Sequence, residues 1–359
     1  MIKAIIYCFL GFGICANVVM AQEDCSKNLK RAKKFYEEGN IEMVEGLLGS
    51  CIEEGFTKEE KVEAQKLLVL VSLFDDDTQM ADEHMEEFLT LNPEYKIQEG
   101  KDQVEFIHLY NTFKTIPSIS VGFTAGTNMT MINQYESYGV HAIGDETIKY
   151  SSSFGFQFGL KVNKQFTKNL TFELGVNYAQ NDFTYQGTYY GGSVQDNAEE
   201  KQTWLRMPLV MSYSFLKGRF RPYLGGGASV GYLLKAQGEY STVYTDLAER
   251  PLPSTSNEFV ISHDQRTRLN AWYIGAVGFR YKIKHGLLSL DIAYQYNLLN
   301  QNVSDNRYTS SEVYFQTFHL NNDFYADHLN ISFGYVYNFY NPKKKSHYRK
   351  KAKKEAKSE

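Results

Sequence analysis

Between residues 118 and 340 large apolar side chains alternate with small or polar ones at a period of two. That is the spacing of strands whose two faces meet different surroundings. Eight segments carry the pattern. The first sets Ile119, Val121 and Phe123 against Ser120, Gly122 and Thr124, and the second sets Phe154, Phe156, Phe158 and Leu160 against Gly155, Gln157, Gly159 and Lys161. The third runs over Leu170–Tyr178 and the fourth over Leu205–Tyr213. The fifth runs from Tyr223 to about Leu234, with Gly225, Gly227, Ser229 and Gly231 on one face. The last three cover about Ala271–Ile283, Leu288–Tyr296 and Leu329–Phe339. In a soluble sandwich the polar face would meet water and carry charge. Here it is mostly Gly, Ser and Asn, which suits the crowded interior of a narrow barrel. The apolar faces hold no Lys, Arg, Asp or Glu at mid-strand, as contact with lipid requires.

The connections alternate in length. Short turns join strands two and three (Lys164 to Asn169), four and five (Leu216 to Arg219), and six and seven (Lys284 to Gly286). Long polar loops cover about 130–151, 183–202, 236–268 and 300–325. Short periplasmic turns and long external loops are usual in bacterial barrels. With an even strand number, both barrel ends then lie in the periplasm.

Before residue 116 the period is 3.6. Ala64, Leu67, Leu68 and Val71 share one helical face, as do Phe106, Leu109, Tyr110 and Phe113. Thr57 with Glu60 predicts a capping box, and Gly39 and Gly55 stand where helices should end.

The N-terminus reads as a secretory signal. Lys3 precedes an apolar run from Ile5 to Ile14, and Val19-Met20-Ala21 offers small or apolar residues for cleavage before Gln22. A lipidated Cys15 is the competing reading, disfavoured by the bulk of Ile14. Composition adds a high aromatic share, 15%, without any later apolar run long enough for a membrane helix. A net charge of −4 hides an uneven distribution. Residues 22–115 are acid-rich, whereas Lys343, Lys344, Lys345, Arg349, Lys350, Lys351, Lys353, Lys354 and Lys357 make a basic tail. Such like-charge blocks are usually disordered.

The helical segment resembles two tetratricopeptide-type units. Ala32, Phe35, Gly39, Val44, Leu48 and Cys51 fall on the small and apolar positions of one, and Ala81, Met85, Phe88 and Pro93 on those of a second, with a capping helix from about Asp102 to Phe113. In a hairpin of that family Ala32 faces Val44, which sets Cys25 opposite Cys51. An oxidising periplasm would join them, and two separate buried thiols are the alternative. Leu205-Arg206-Met207-Pro208-Leu209-Val210, then Arg221-Pro222-Tyr223-Leu224-Gly225-Gly226-Gly227 and Val230-Gly231-Tyr232, resemble strands of the PorT-like outer-membrane β-barrel family of Bacteroidota. The closing Val336-Tyr337-Asn338-Phe339-Tyr340 resembles the terminal aromatic signal read by barrel-assembly machinery. The resemblance covers roughly residues 118–340. It implies fold and location, and the family's namesake is linked to type IX protein secretion.

Candidate chemistry lies in the inward-facing charges. Lys161 with Glu173, and Arg280 with Asp291, flank short turns at positions expected to pair, and Arg206 lies higher. They predict a charge-paired plug in a lumen that eight strands leave just wide enough for side chains. His141, Asp145, Glu146, His263, Asp264 and His319 in the loops could serve acid–base chemistry, but no nucleophile motif or metal-ligand spacing accompanies them. Loop tyrosines such as Tyr135, Tyr138, Tyr189, Tyr190, Tyr240, Tyr244, Tyr308 and Tyr314 suit adaptable contact surface.

The sequence thus predicts an all-β transmembrane barrel of eight antiparallel up-and-down strands with an N-terminal α-helical domain. The expected domains are a signal peptide (1–21), a periplasmic tetratricopeptide-like domain (22–116), an outer-membrane barrel (117–341) and a basic periplasmic tail (342–359). The expected function is non-enzymatic, without cofactor or metal: outer-membrane lipid holds the barrel while the helices bind a periplasmic protein in envelope assembly or export. The alternative is a small binding or transport barrel recognising an external ligand through its loops, with the helices as a spacer. Nucleic acid is excluded by location.

Overall fold

The computed structural model describes residues 24–138, 147–216, 218–244, 255–260, 265–283, 286–307, 320–345 and 348. The expected signal segment, the loop residues His141, Asp145, Glu146, His263, Asp264, His319, Tyr308 and Tyr314, and most of the tail lie outside them. The chain forms two compact units. One is helical, ends at Ile116 and takes up the chain again at Tyr340; the other is a β unit, Pro117–Phe339.

The β unit contains β1 (Ile119–Glu136), β2 (Thr147–Ser152), β3 (Phe154–Gln165), β4 (Leu170–Tyr189), β5 (Val194–Ser214), β6 (Phe220–Tyr244), β7 (Thr255–Val260), β8 (Leu269–Ile283), β9 (Gly286–Asn297) and β10 (Asp323–Phe339). Eight of these close on themselves in the order β1-β3-β4-β5-β6-β8-β9-β10, with β10 pairing β1 again, all antiparallel. Closure gives each of these eight strands a neighbour on both sides. Ile119 faces Phe339, so both ends of the barrel chain meet at the rim that carries the short turns after β3, β5 and β8.

Strand lengths depart from the sequence reading. Residues 183–202, expected as a loop, are mostly ladder, with Phe183 facing Glu200 and Tyr189 facing Val194. The short β2 and β7 continue the sheet beyond β3 and β8 by pairing with the far halves of β4 and β6. A lipid-spanning strand needs only about 9–11 residues, whereas β4, β5 and β6 have 20, 21 and 25. Past the apolar belt the outer face meets water, so polar residues occupy both faces and the apolar–polar contrast that marks a strand disappears.

The barrel is inside out relative to a soluble protein. Phe154, Phe158 and Leu160 are exposed, whereas Lys161, Asn163, Arg206, Ser229, Arg280 and Asn330 are buried. Among the described residues no helix is long and apolar enough to cross a membrane.

The helical unit holds α1 (residues 24–37), α2 (Glu42–Glu53), α3 (Lys58–Phe74), α4 (Thr78–Leu91) and α5 (Val104–Thr112). The Thr57–Glu60 capping box forms as expected, and Gly39 (φ 83°) and Gly55 (φ 125°) take the left-handed backbone that ends a helix. The central helix α3 serves two cores. Ala64, Leu67, Leu68 and Val71 pack with Leu29, Ala32, Val44 and Leu48. Val69 on its other side packs with Met85, Phe88, Leu89, Phe106 and Phe113. The first described tail residues are ordered, contrary to expectation. The Lys114 amide donates to the Lys343 carbonyl (3.0 Å), the Lys345 amide to that of Thr112 (2.8 Å), and Lys344 Nζ pairs with Asp82 (2.5 Å). Unpaired backbone beyond α5 supplies partners that the charge pattern does not reveal.

Candidate functional site

The barrel lumen is filled in layers. Nearest the short-turn rim, Lys161 Nζ lies 3.3 Å from Glu173 and 3.2 Å from Asp291. Asp291 also accepts from the Tyr223 hydroxyl (2.5 Å) and from Ser289 Oγ (3.2 Å). Arg280 does not pair with Asp291. The register sets Arg280 opposite Ser289 and Asp291 opposite Gly278, two residues away from the expected pairing. Arg280 instead donates to Ser212 Oγ (2.9 Å) and lies over the Tyr223 ring at 4.3 Å. Lys161 faces Gly175 across the ladder and reaches Glu173 only diagonally. Its long stem lets it serve both carboxylates. Between this layer and Gln157, Asn177, Gln295, Asn330 and Ser332 is a cavity of about 80 Å³ with mixed walls, Val210, Ile274 and Ala293 among them; its polar groups could hold a few waters.

The next layer fills the lumen with large side chains. Arg206, 1% exposed, donates to Gln295 Oε1 (3.2 Å), lies 2.7 Å from His328 Nε2 and stacks on Trp272 at 4.7 Å. Trp272 meets Trp204 edge-on at 5.3 Å, and both are fully buried. Gly231 makes room for them: a Cβ there would lie 2.7 Å from Trp272 Cζ3 and 3.2 Å from Arg206 Cγ. The sequence reading missed His328 and both tryptophans. His328 has the parity of the inward Asn330 and Ser332, so alternation alone could have placed it inside.

Toward the other rim Arg266 pairs with Glu200 (2.5 Å) and also donates to Asn302 and Asn321 (2.9 Å). Arg307 pairs with Asp323 (2.8 Å) and covers the Tyr138 ring at 3.3 Å. Above them Tyr150 packs against Tyr185 (5.2 Å) and Phe324 (6.0 Å). These residues lay in segments read as loops, so no facing could be assigned to them from sequence.

The helical unit has its own sites. Cys25 Sγ and Cys51 Sγ lie 2.09 Å apart, linking α1 to α2. Asp102, unassigned as a site by sequence, is buried and accepts from Lys66 Nζ (2.5 Å), the Tyr95 hydroxyl (2.8 Å) and the Gln98 amide (2.7 Å). Burial disfavours its charge, but these donors outweigh burial and hold its carboxyl below the ordinary range. Lys66 is raised in turn: burial opposes its charge, and the bonds to Asp102 and Tyr95 override that. A groove of about 610 Å³ runs between α2, α3 and α4, lined by Glu53, Glu83, Glu86 and Glu87 with Gln65 at its floor. Among the described residues no His, Cys, Asp and Glu cluster could hold a metal.

No curated protein matches the chain. Solved structures with similar coordinates include outer-membrane protein OprG from Pseudomonas aeruginosa (14% identity, 62% of this chain and 98% of that one, TM-score 0.34). Others are Neisserial surface protein A (14%, 62% and 97%, 0.29) and the attachment invasion locus protein Ail of Yersinia pestis (11%, 61% and 99%, 0.28). Residues 112–344 match the family described as "Outer membrane protein beta-barrel domain". That match covers the closed sheet and its outward apolar belt and spans more than half of the sequence, so the chain belongs to the outer-membrane β-barrel domain family and resides in the outer membrane.

Proposed function

We propose that the barrel is a non-enzymatic anchor and that the helical unit binds a protein partner in the periplasm, in envelope assembly or export. The observation that carries this reading is the layer of Arg206, Trp272, Trp204 and His328, large buried side chains packed together inside the lumen. A filled barrel leaves the helical unit, with its own two cores and an open groove, as the surface free to work. Antiparallel helices around α3 are in keeping with a tetratricopeptide-type pair. The short-turn rim, where both barrel ends lie, is assigned to the periplasm because bacterial barrels keep short turns there. The export link rests on the PorT-like resemblance.

A second reading has one observation in its favour. The far rim gathers Tyr150, Tyr185, Tyr240 and Phe324 inside the extended strands, rings suited to gripping an external ligand. Photo-crosslinking in living cells separates the two. Under the first reading a probe at Thr90 traps one reproducible periplasmic protein, and a probe at Tyr135 on the far rim traps none. The reverse pattern replaces the anchor reading with the ligand-binding one.

A further inference from the structure

The groove on the helical unit is unfinished. Glu53, Glu83, Glu86 and Glu87 are exposed along it, and among the described residues Lys61 is the only cation lining it. Carboxylates alone would be an ordinary solvated face. Gln65 is different: it is 2% exposed, it lines the groove, and its Oε1 has no hydrogen-bond partner among the described residues. The amide cannot simply be turned over. Its Nε2 donates to the Glu87 carboxylate, and the flipped amide would set oxygen against oxygen. A buried acceptor without a donor is destabilising. An N–H or ammonium donor would complete Gln65, and the carboxylates around it favour a positively charged occupant.

The chain carries such an occupant within reach. Lys344 Nζ is tied to Asp82 of α4, and Tyr340 donates to Glu94 from the same stretch. Asp82 is one helical turn from Glu86, about 6 Å along the axis. Arg349 to Lys357 hold six cations and begin only five residues past Lys344, and five extended residues span about 17 Å. A segment tethered this closely meets the groove at an effective concentration of the order of millimolar. Spacing also argues for a flexible basic peptide over a metal ion, since the carboxylates are strung along the groove and do not converge.

We propose that the basic segment Arg349–Lys357 docks in the acidic groove of its own helical unit, with a lysine ammonium or backbone N–H meeting Gln65 Oε1. The groove is then self-occupied, and any basic partner must displace the tail. This concerns the same groove as the function proposed above but does not rest on it: the tail is the competitor that a periplasmic partner would displace.

The test uses the full chain in vesicles of zwitterionic lipid and of lipid containing an anionic phospholipid, with a photo-crosslinking side chain at position 351. Adducts should map to peptides containing Gln65 or Glu83–Leu91 in both vesicle types. Glu83→Gln/Glu86→Gln/Glu87→Gln should lower their yield at least about fivefold. Arg349→Glu/Lys350→Glu/Lys353→Glu/Lys354→Glu/Lys357→Glu should abolish the adducts, and Glu83→Lys/Glu86→Lys/Glu87→Lys in that chain should restore them. Adducts to anionic lipid alone, to a second copy, or to the groove with undiminished yield in the triple variant would each overturn the proposal.

Discussion

Lys161 on β3 and Asp291 on β9 meet across the lumen, 3.2 Å apart, although 130 residues separate them in the chain. Lys161 also neutralises Glu173. One ammonium, itself almost fully buried, thus balances two partly buried carboxylates. Lys161→Met should leave both carboxylates uncompensated and cost about 3–5 kcal/mol. The temperature at which the folded, fast-migrating gel form converts to the unfolded form should fall clearly. Adding Glu173→Gln and Asp291→Asn should recover most of the loss. An unchanged conversion temperature in Lys161→Met would show that the cluster contributes nothing.

Gly231 and Trp272 form a testable pair, because the ring occupies the space a side chain at 231 would need. Gly231→Val should destabilise the barrel by about 1–3 kcal/mol through overpacking. In a Trp272→Ala background the same change should be close to neutral. Equal costs in both backgrounds would mean that the glycine serves some other purpose.

The filled lumen makes an electrical prediction. The unaltered protein in planar bilayers should show no steady conductance. Trp272→Ala with Arg206→Ala should open small, discrete steps. Steps of equal size in the unaltered protein would show a continuous water path past this layer.

Cys25 and Cys51 close a loop with a sequence separation of 26. Loop-closure entropy assigns such a cross-link about 3.5 kcal/mol. Unreduced protein should show no reactive thiol on either residue, and Cys25→Ser/Cys51→Ser should lower the denaturant midpoint of the helical signal in circular dichroism. Stoichiometric labelling of both thiols without reductant would contradict the oxidised hairpin.

Asp102 and Lys66 set a pH window for the helical unit. The lowered carboxyl gives stability that is full above about pH 4 and is lost as pH falls through its folded value. The raised ammonium gives stability that is full below about pH 10 and is lost as pH rises through its folded value. Helical ellipticity in fixed urea should hold between these limits and fall outside them. Asp102→Asn should cost about 2 kcal/mol at neutral pH and remove the acid limb. An acid limb that survives the substitution would assign it to other carboxylates.

Much of this was legible along the chain. The Thr57–Glu60 cap, the glycines at 39 and 55, the four apolar positions of α3 and the three short turns all depend on neighbours a few residues away. Inward and outward faces were legible too, because alternation is local. The candidate site was legible only in part. Lys161, Glu173, Arg280, Asp291 and Arg206 do line the lumen, but His328, Trp272 and the Arg266–Glu200 pair were passed over. The last lay in segments whose outer face is polar, where alternation carries no signal.

By itself, then, the sequence determined the period of each element, where the helices and short turns begin and end, and which side chains of the apolar belt turn inward, since each follows from backbone geometry and the preference of apolar groups for lipid. Tertiary structure decided which inward charges meet. Register and closure fix it: a two-residue offset across β8 and β9 moved Arg280 from Asp291 to Tyr223 and Ser212, and closure brought Lys161 to the carboxylate that Arg280 left.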